Sequence, residues 1–309
     1  MKKVFIIGAS GFLGNKLYDM YKNLPNYEVV GTYGVNTRED LVKLDITNLE
    51  ETKELIYRYG PEIVINTAAY TYPDKCEKNK ELAEMINHIG TRNIVKACKE
   101  VNARLDHIST VYVFDGKKGN YKEDDIPCPI NWYGETKLRA EYEVSNSGLN
   151  FWSYYRLDKL YGYNNLEGSP NDIFSKIMRG EECKVNNDQI RQPVLIDDVS
   201  RALMLIQEKY LSGIFHLAGP DKLTRYELSL RLADLVYQDK LARRDLSLEL
   251  VDLFDEKSLI IPVSEKDMLV ERPKNVTLIT EKIEKKGMVF TPLNEALIEI
   301  GKDIRGVER

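Results

Sequence analysis

The start of the chain limits its folding choices more than any other part. A short apolar run, Val4-Phe5-Ile6-Ile7, leads straight into Gly8-Ala9-Ser10-Gly11-Phe12-Leu13-Gly14. An amphipathic stretch follows to about Asn23, with Leu13, Leu17 and Met20 at helical spacing. Strand, glycine-rich turn and helix in that order let a backbone approach a pyrophosphate closely. They also aim unpaired N–H groups and the positive end of a helix dipole at it. A glycine-rich turn without a ligand is the alternative, and the flanking strand and helix argue against it.

The same alternation continues. Glu28–Thr32, Glu62–Asn66, Leu105–Ser109 and Phe151–Arg156 read as strands, and Leu49–Tyr59, Ala83–Val101 and Gly134–Val144 as helices. This predicts an α/β chain with a Rossmann-type, doubly wound parallel sheet. Gly213–Leu217 reads as a late strand that returns to that sheet. Leu166–Asn187, Leu223–Leu248 and the C-terminal stretch mix short helices with polar loops. They are assigned to a smaller, mostly C-terminal substrate-binding lobe. The expected division is a dinucleotide-binding domain at 1–162, with 190–218 returning to it, and a lobe at 163–189 and 219–309.

Composition removes several classes. The 309 residues suit about two domains. A net charge of −5 offers no basic excess, so no nucleic-acid partner is expected. No apolar run approaches the roughly 18 residues of a membrane span. The run at Val4–Ile7 stops at Gly8, short of the roughly 7–15 residues of a signal-peptide core. A cytosolic protein without membrane attachment is therefore expected. The four cysteines, Cys76, Cys98, Cys128 and Cys183, form no C-x-x-C and read as free thiols.

After the second strand no acid occurs until Glu39. A dinucleotide fold that prefers NAD usually places Asp or Glu there to hold the ribose 2′-hydroxyl. Thr32 and Arg38 leave room for a 2′-phosphate, which favours NADP and keeps NAD open. Asp45 can accept from an adenine amino group or cap the following helix, and both readings stand.

Tyr133 and Lys137 lie four apart, on one face of a helix. A nearby ammonium favours phenolate, and a tuned phenol exchanges a proton with a carbonyl or alcohol oxygen. Among 19 tyrosines a chance Y-x-x-x-K is expected. The pattern gains meaning because it follows the glycine turn and a strand ending in Ser109-Thr110, where ligands bind in such sheets.

Taken in order, these segments resemble the extended short-chain dehydrogenase/reductases, and within them the dTDP-4-dehydrorhamnose reductase branch. The resemblance rests on GASGFLG at 8–14, LDITN at 44–48, NTAAYT at 66–71, DKCEKN at 74–79 and NHIGTRNIVKACKE at 87–100. It continues through ISTVYVFDG at 108–116, YGETKLRAE at 133–141, LYG at 160–162, DQIRQPVLIDDVSRAL at 188–203, GIFHLAG at 213–219 and RPKN at 272–275. It implies an NAD(P)H-dependent reduction of a nucleotide-linked 4-keto-6-deoxy sugar. Thr110, Tyr133 and Lys137 would be the catalytic set. Gly8, Ser10, Gly11, Phe12, Leu13 and Gly14 would hold the cofactor diphosphate, and Asp45 and Ile46 would meet adenine. Ala68, Ala69 and Tyr70 would line the ribose, and Asn87 would support the site. Thr71, Val111, Tyr112 and Lys159 would face the sugar, while Arg191 and Arg272 would grip the substrate diphosphate. A surface ion pair is the plain alternative for each arginine.

Three positions depart from the branch. Val111 stands where it usually has Asp, and Lys159 where it has a bulky aromatic, which suggests a different or more acidic substrate. Lys16 replaces an acid used for magnesium in some relatives, so no metal is expected. His88, His107 and His216 read as satisfied core or boundary residues. The resemblance also covers a nucleotide-sugar epimerase or dehydratase with bound NAD, and a non-catalytic subunit like that of methionine adenosyltransferase. A homodimer through the helices at 83–101 and 134–144 is expected by analogy.

Overall fold

The structure, a computed structural model, describes residues 1–162, 176–177, 179–242, 256–264 and 269–307. Parts of the segments assigned to the smaller lobe (163–175, 178, 243–255, 265–268 and 308–309) lie outside the described residues.

The first half runs β1 (Lys2–Ile7), α1 (Phe12–Lys22), β2 (Tyr27–Tyr33), β3 (Val42–Lys43), α2 (Leu49–Tyr59) and β4 (Ile63–Asn66). Then come α3 (Pro73–Lys78), α4 (Lys80–Ala83), a π turn (Glu84–Ile89) and α5 (Gly90–Val101). β5 (Arg104–Thr110), a tight 3-10 turn (Val111–Val113), α6 (Trp132–Ser145), β6 (Trp152–Leu157) and β7 (Leu160–Tyr161) follow. The rest comprises β8 (Cys183–Asn186), β9 (Ile190–Arg191), β10 (Val194–Leu195), α7 (Ile196–Glu208), β11 (Gly213–Leu217), β12 (Leu223–Thr224), α8 (Arg225–Ala242), β13 (Ile260–Val263), α9 (Glu281–Glu284) and α10 (Leu293–Val307).

Seven parallel strands form the main sheet in the order β11-β6-β5-β4-β1-β2-β3. This is the doubly wound arrangement expected from the alternating pattern. The strand order reverses between β1 and β4, and the crevice beyond their C-terminal ends is where such sheets take ligands. One face buries Val4, Ile6, Leu17, Tyr21, Val199, Leu203 and Phe215 under α1 and α7. The other buries Phe5, Ile7, Ile56, Val64, Ile94 and Leu105 under α2 and α5. Both faces are covered, so the strands read as continuous apolar runs rather than alternating ones.

The late strand Gly213–Leu217 returns beside β6, with Phe215 opposite Tyr155. Ile283, Met288 and Phe290 also pack into the first core, although they fall in the stretch assigned to the lobe. The lobe itself is more regular than short helices and loops. β8 pairs with β13 in parallel, with Cys183 opposite Ile260, and α8 lays Leu228, Leu232 and Ala233 against them.

The expected helix Ala83–Val101 is likewise not one α-helix. Its first turns are π-helical, and the extra residue carries Asn87 inward, 1% exposed. No helix among the described residues is long and apolar enough to cross a membrane.

Candidate active site

The glycine turn leaves β1 at Gly8, whose φ of +82° suits glycine. A Cβ on Gly14 would lie 2.2 Å from the Gly8 carbonyl oxygen and 2.7 Å from Thr67 Oγ1. Only glycine lets α1 seat this deeply. Gly11 N–H donates to Gly8 O at 2.9 Å, and no side chain caps α1. The first-turn N–H groups are thus left for an anion, and the cradle suits a dinucleotide diphosphate. Ser10 and Phe12 stand partly exposed at its mouth. Leu13 is buried in the core, so only its backbone can serve a ligand.

Several expected cofactor contacts play other parts. Thr32 is 1% exposed, and its hydroxyl accepts from Gly8 N–H at 3.4 Å. It props the turn from beneath and is closed to a 2′-phosphate, which corrects the expectation. Arg38 remains beside α1, bonded to Asn15 and Asp19 and paired with Asp40 at 2.7 Å. Asp45 does not cap α2. Its carboxylate accepts from Thr47, while Asn48 takes the N–H groups of Glu50 and Glu51. Ile46 is buried against Gly90, with its carbonyl held by Asn93. Ala68, Ala69 and Tyr70 follow β4 and are partly exposed. Asn87 is too deep to meet a cofactor. Its amide clamps the Tyr70 backbone at 2.7 and 3.1 Å and donates to Thr136 at 3.0 Å, so it positions the loop instead.

Of the expected catalytic trio, Thr110 and Tyr133 meet, and Lys137 is engaged elsewhere. β5 ends at Thr110, and the 3-10 turn begins there, with Tyr112 N–H donating to Thr110 Oγ1 at 3.2 Å. α6 starts at Trp132 behind Asn131, whose side chain accepts from Gly134 N–H at 3.0 Å. A Cβ on Gly134 would come within 2.1 Å of the Tyr112 carbonyl, so glycine lets α6 press against that turn. Tyr133 consequently lies within hydrogen-bond reach of Thr110, its ring edge-on to Tyr112 at 5.5 Å.

Burial pushes the Tyr133 phenol well above its ordinary range, and only the Thr110 hydrogen bond opposes this. The expected lowering by Lys137 is absent. Lys137 is 1% exposed and turns to β5, with Nζ 2.6 Å from Ile108 O and 3.0 Å from His107 Nε2. Burial brings its pKa down to about 7, against the pull of Glu141.

Val111 corrects another expectation. The 3-10 turn directs it inward, and it is fully buried in a cluster with Cys76, Ala83 and Tyr133. It cannot face a sugar. Tyr112, 9% exposed, and Thr71, exposed, remain at the crevice.

Positive charge gathers beside Tyr112. The Arg191 guanidinium lies over that ring at 5.2 Å, and Nη2 donates to Gln189 Oε1 at 2.7 Å. Its Nη1 and Gln189 Nε2 are buried with no hydrogen-bond partner. Arg272 pairs with Asp74 at 2.8 Å. Lys159 is partly buried, and its pKa falls to about 8 through burial and the charges of Arg225, Arg191 and Arg272, with Asp158 opposing. Three guanidinium groups thus act on one lysine in this corner, with Asp158 and Asp74 offsetting part of the charge. Lys16 forms an ion pair with Asp197 on α7.

Sequence reasoning missed three supporting groups. Arg225 joins the cationic corner through the smaller lobe. His107 touches Lys137 from the neighbouring strand. Glu141 holds the buried Arg156 at 2.8 Å and accepts from Ser109 at 2.5 Å. Only Glu141 carried a readable signal, lying one helical turn beyond Lys137.

Comparison with known proteins places these features in context. The family described as RmlD substrate binding domain matches residues 1–305. Methionine adenosyltransferase 2 subunit beta of Xenopus tropicalis is 30% identical over 243 residues, covering 75% of this chain and 72% of that protein. The probable low-salt glycan biosynthesis reductase Agl14 of Haloferax volcanii is 31% identical over 242 residues, covering 75% and 79%. Among solved structures, dTDP-4-dehydrorhamnose reductase from Bacillus anthracis in complex with NADP is 27% identical. It covers 98% of each chain with a TM-score of 0.79.

Proposed function

Because this chain belongs to the RmlD substrate-binding-domain family, we propose that it reduces a nucleotide-linked 4-keto-6-deoxy sugar with NADPH, with NADH as the alternative donor. The observation that carries this reading is the Tyr133–Thr110 pair at the C-terminal edge of the sheet, beside an uncapped helix start seated on glycines.

Gly8, Gly11 and Gly14, with the backbone at Ser10, Phe12 and Leu13, would hold the dinucleotide diphosphate. Ala68, Ala69 and Tyr70 would line its ribose, the backbone at Asp45 and Ile46 would meet adenine, and Arg38 would meet a 2′-phosphate. When bound, the dihydronicotinamide supplies the hydride. Tyr133 supplies the proton. Burial keeps the phenol protonated, so it can give that proton to the developing alkoxide. Thr110 offers a hydroxyl to the same oxygen and orients it. Lys137 would hold the ribose hydroxyls. Arg191 and Arg272 would grip the substrate diphosphate, Tyr112 and Thr71 would wall the sugar, and Lys159 would meet an anionic substrate group.

The test is incubation of the purified protein with NADPH and a nucleotide-linked 4-keto-6-deoxy sugar. Net loss of NADPH is expected, slowed about 10²–10⁴-fold in Tyr133→Phe. Turnover with bound NAD and no net change in cofactor would replace this reading with an epimerase or dehydratase. The similarity to methionine adenosyltransferase 2 subunit beta supports a second reading, a regulatory subunit. Co-purification of a synthetase, with function untouched in Tyr133→Phe, would favour it.

A further inference from the structure

We infer that His107 is a positioning residue that keeps Lys137 an uncharged amine in the unliganded protein, with Asn66 selecting the ring tautomer that does so. Donors and acceptors can be matched outward from one backbone group. Ala68 N–H can only donate, and its partner is Asn66 Oδ1 at 3.1 Å. That contact fixes the amide, so Asn66 Nδ2 faces the other way, 3.1 Å from His107 Nδ1. An amide nitrogen only donates. His107 Nδ1 must therefore accept, and a neutral ring carries its proton on Nε2. Thr91 Oγ1 lies 3.4 Å from the same Nδ2 and gives its own proton to Asn87 O at 2.8 Å, which is consistent with this orientation.

His107 Nε2 in turn sits 3.0 Å from Lys137 Nζ. A ring N–H needs an acceptor there. An ammonium has none, whereas a neutral amine has one lone pair. Lys137 can still donate to Ile108 O at 2.6 Å. With a neutral lysine every group in the chain Ala68–Asn66–His107–Lys137–Ile108 is matched. With an ammonium, His107 must carry its proton on Nδ1 and set it against Asn66 Nδ2.

The surroundings agree. His107, Asn66 and Lys137 are each at most 1% exposed. Burial pushes His107 well below its ordinary pKa, so the ring is not an imidazolium. Glu141, on α6, is the anion that favours the ammonium, but its carboxylate is engaged by Arg156 and Ser109. Tyr133, also on α6, and Tyr154, opposite His107 on β6, are both kept protonated by burial. Asp106, the neighbour on β5, is taken by Arg104.

The functional consequence rests on the reductase reading above. A cofactor that requires Lys137 as a cation must then draw a proton from solvent as it binds.

The test starts without any ligand. The chain has three histidines, so long-range proton–nitrogen spectra of ¹⁵N-histidine-labelled protein near pH 8 are simple. His107 is identified by its loss in His107→Gln or, should that variant not fold, by its perturbation in Lys137→Met. His216 supplies a contrast, since its Nδ1 donates to Tyr121 O at 3.1 Å and it must be the opposite tautomer. The expected His107 signature is a protonated Nε2 and a bare Nδ1. A protonated Nδ1 overturns the inference. Asn66→Asp replaces the donor facing Nδ1 by an acceptor and is expected to move the proton to Nδ1; a folded variant with an unchanged ring overturns the role given to Asn66. Calorimetry of NADPH binding in buffers of different ionisation heat is expected to show uptake of about one proton per site near pH 8, and none in Lys137→Met. Binding without uptake in the unaltered protein overturns the consequence for cofactor binding. Absence of NADPH binding overturns the reductase reading and leaves the tautomer result to decide the inference.

Discussion

Replacing Lys137 by methionine should make this protein more stable near neutral pH, and the gain should vanish as the medium becomes alkaline. Burial lowers the lysine pKa from 10.5 to about 7, whereas the unfolded chain keeps the ordinary value. Between these values the unfolded state binds one proton more than the native state, so native stability rises with pH through that window. Below the native pKa both states are protonated and the cost is complete. At about 1.4 kcal/mol per unit, the full cost is roughly 5 kcal/mol. Methionine removes it. Methionine also loses the 2.6 Å bond to Ile108 O and leaves the His107 N–H unmatched. Those losses amount to about 2–4 kcal/mol together. A net gain of about 1–3 kcal/mol is expected near pH 7, turning into a loss near pH 9.5, where only about 1.4 kcal/mol of the original cost remains. Urea unfolding followed by circular dichroism at both pH values measures the difference, and an unchanged m-value shows that compactness is unaltered. A variant destabilised by several kcal/mol near pH 7, or a difference that does not move with pH, would refute the reasoning.

Lys159→Met should raise KM for an anionic nucleotide-sugar about tenfold or more with kcat nearly kept, since it removes one cation of a group that includes Arg191, Arg225 and Arg272; steady-state kinetics with an unchanged KM would contradict the anion contact. Gly14→Ala forces a Cβ to within 2.2 Å of Gly8 O and should cost about 1–3 kcal/mol while weakening thermal stabilisation by NADPH, read in a thermal-shift titration. Glu141→Gln leaves the buried Arg156 guanidinium without its carboxylate and should lower stability by about 3–5 kcal/mol in the same urea experiment; a loss below about 1 kcal/mol would mean that the pair is dispensable.

Much of the sheet could be read from the chain because each buried parallel strand is a short apolar run and each covering helix repeats its apolar residues every three or four positions. β3 escaped because Val42–Lys43 is too brief to carry a period. The β8–β13 pair escaped because its register joins Cys183 to Ile260 across a long separation that no local pattern reports. The site divides in the same way. Tyr133, Thr110 and the glycines were legible because their chemistry follows from residue type and order. The inward turn of Val111 and the burial of Thr32 were not, because a 3-10 turn and a close glycine approach decide which way those side chains point. The contact between Lys137 and His107 joins a helix to a strand thirty positions away, and the one-turn spacing that revealed Tyr133 and Lys137 cannot show it.

The path of the chain through the two cores has a consequence for engineering. β11, α7 and the segment around Ile283–Phe290 all belong with the main sheet, although they come after the first excursion into the smaller lobe. A fragment ending near Gly162 would strip the neighbour from β6, bare Tyr155 and Leu157, and present an open strand edge to other copies. The smaller lobe therefore cannot be transplanted by swapping a C-terminal half. A chimera must splice in each excursion between its own pair of junctions and leave the returning strand and its helix in place.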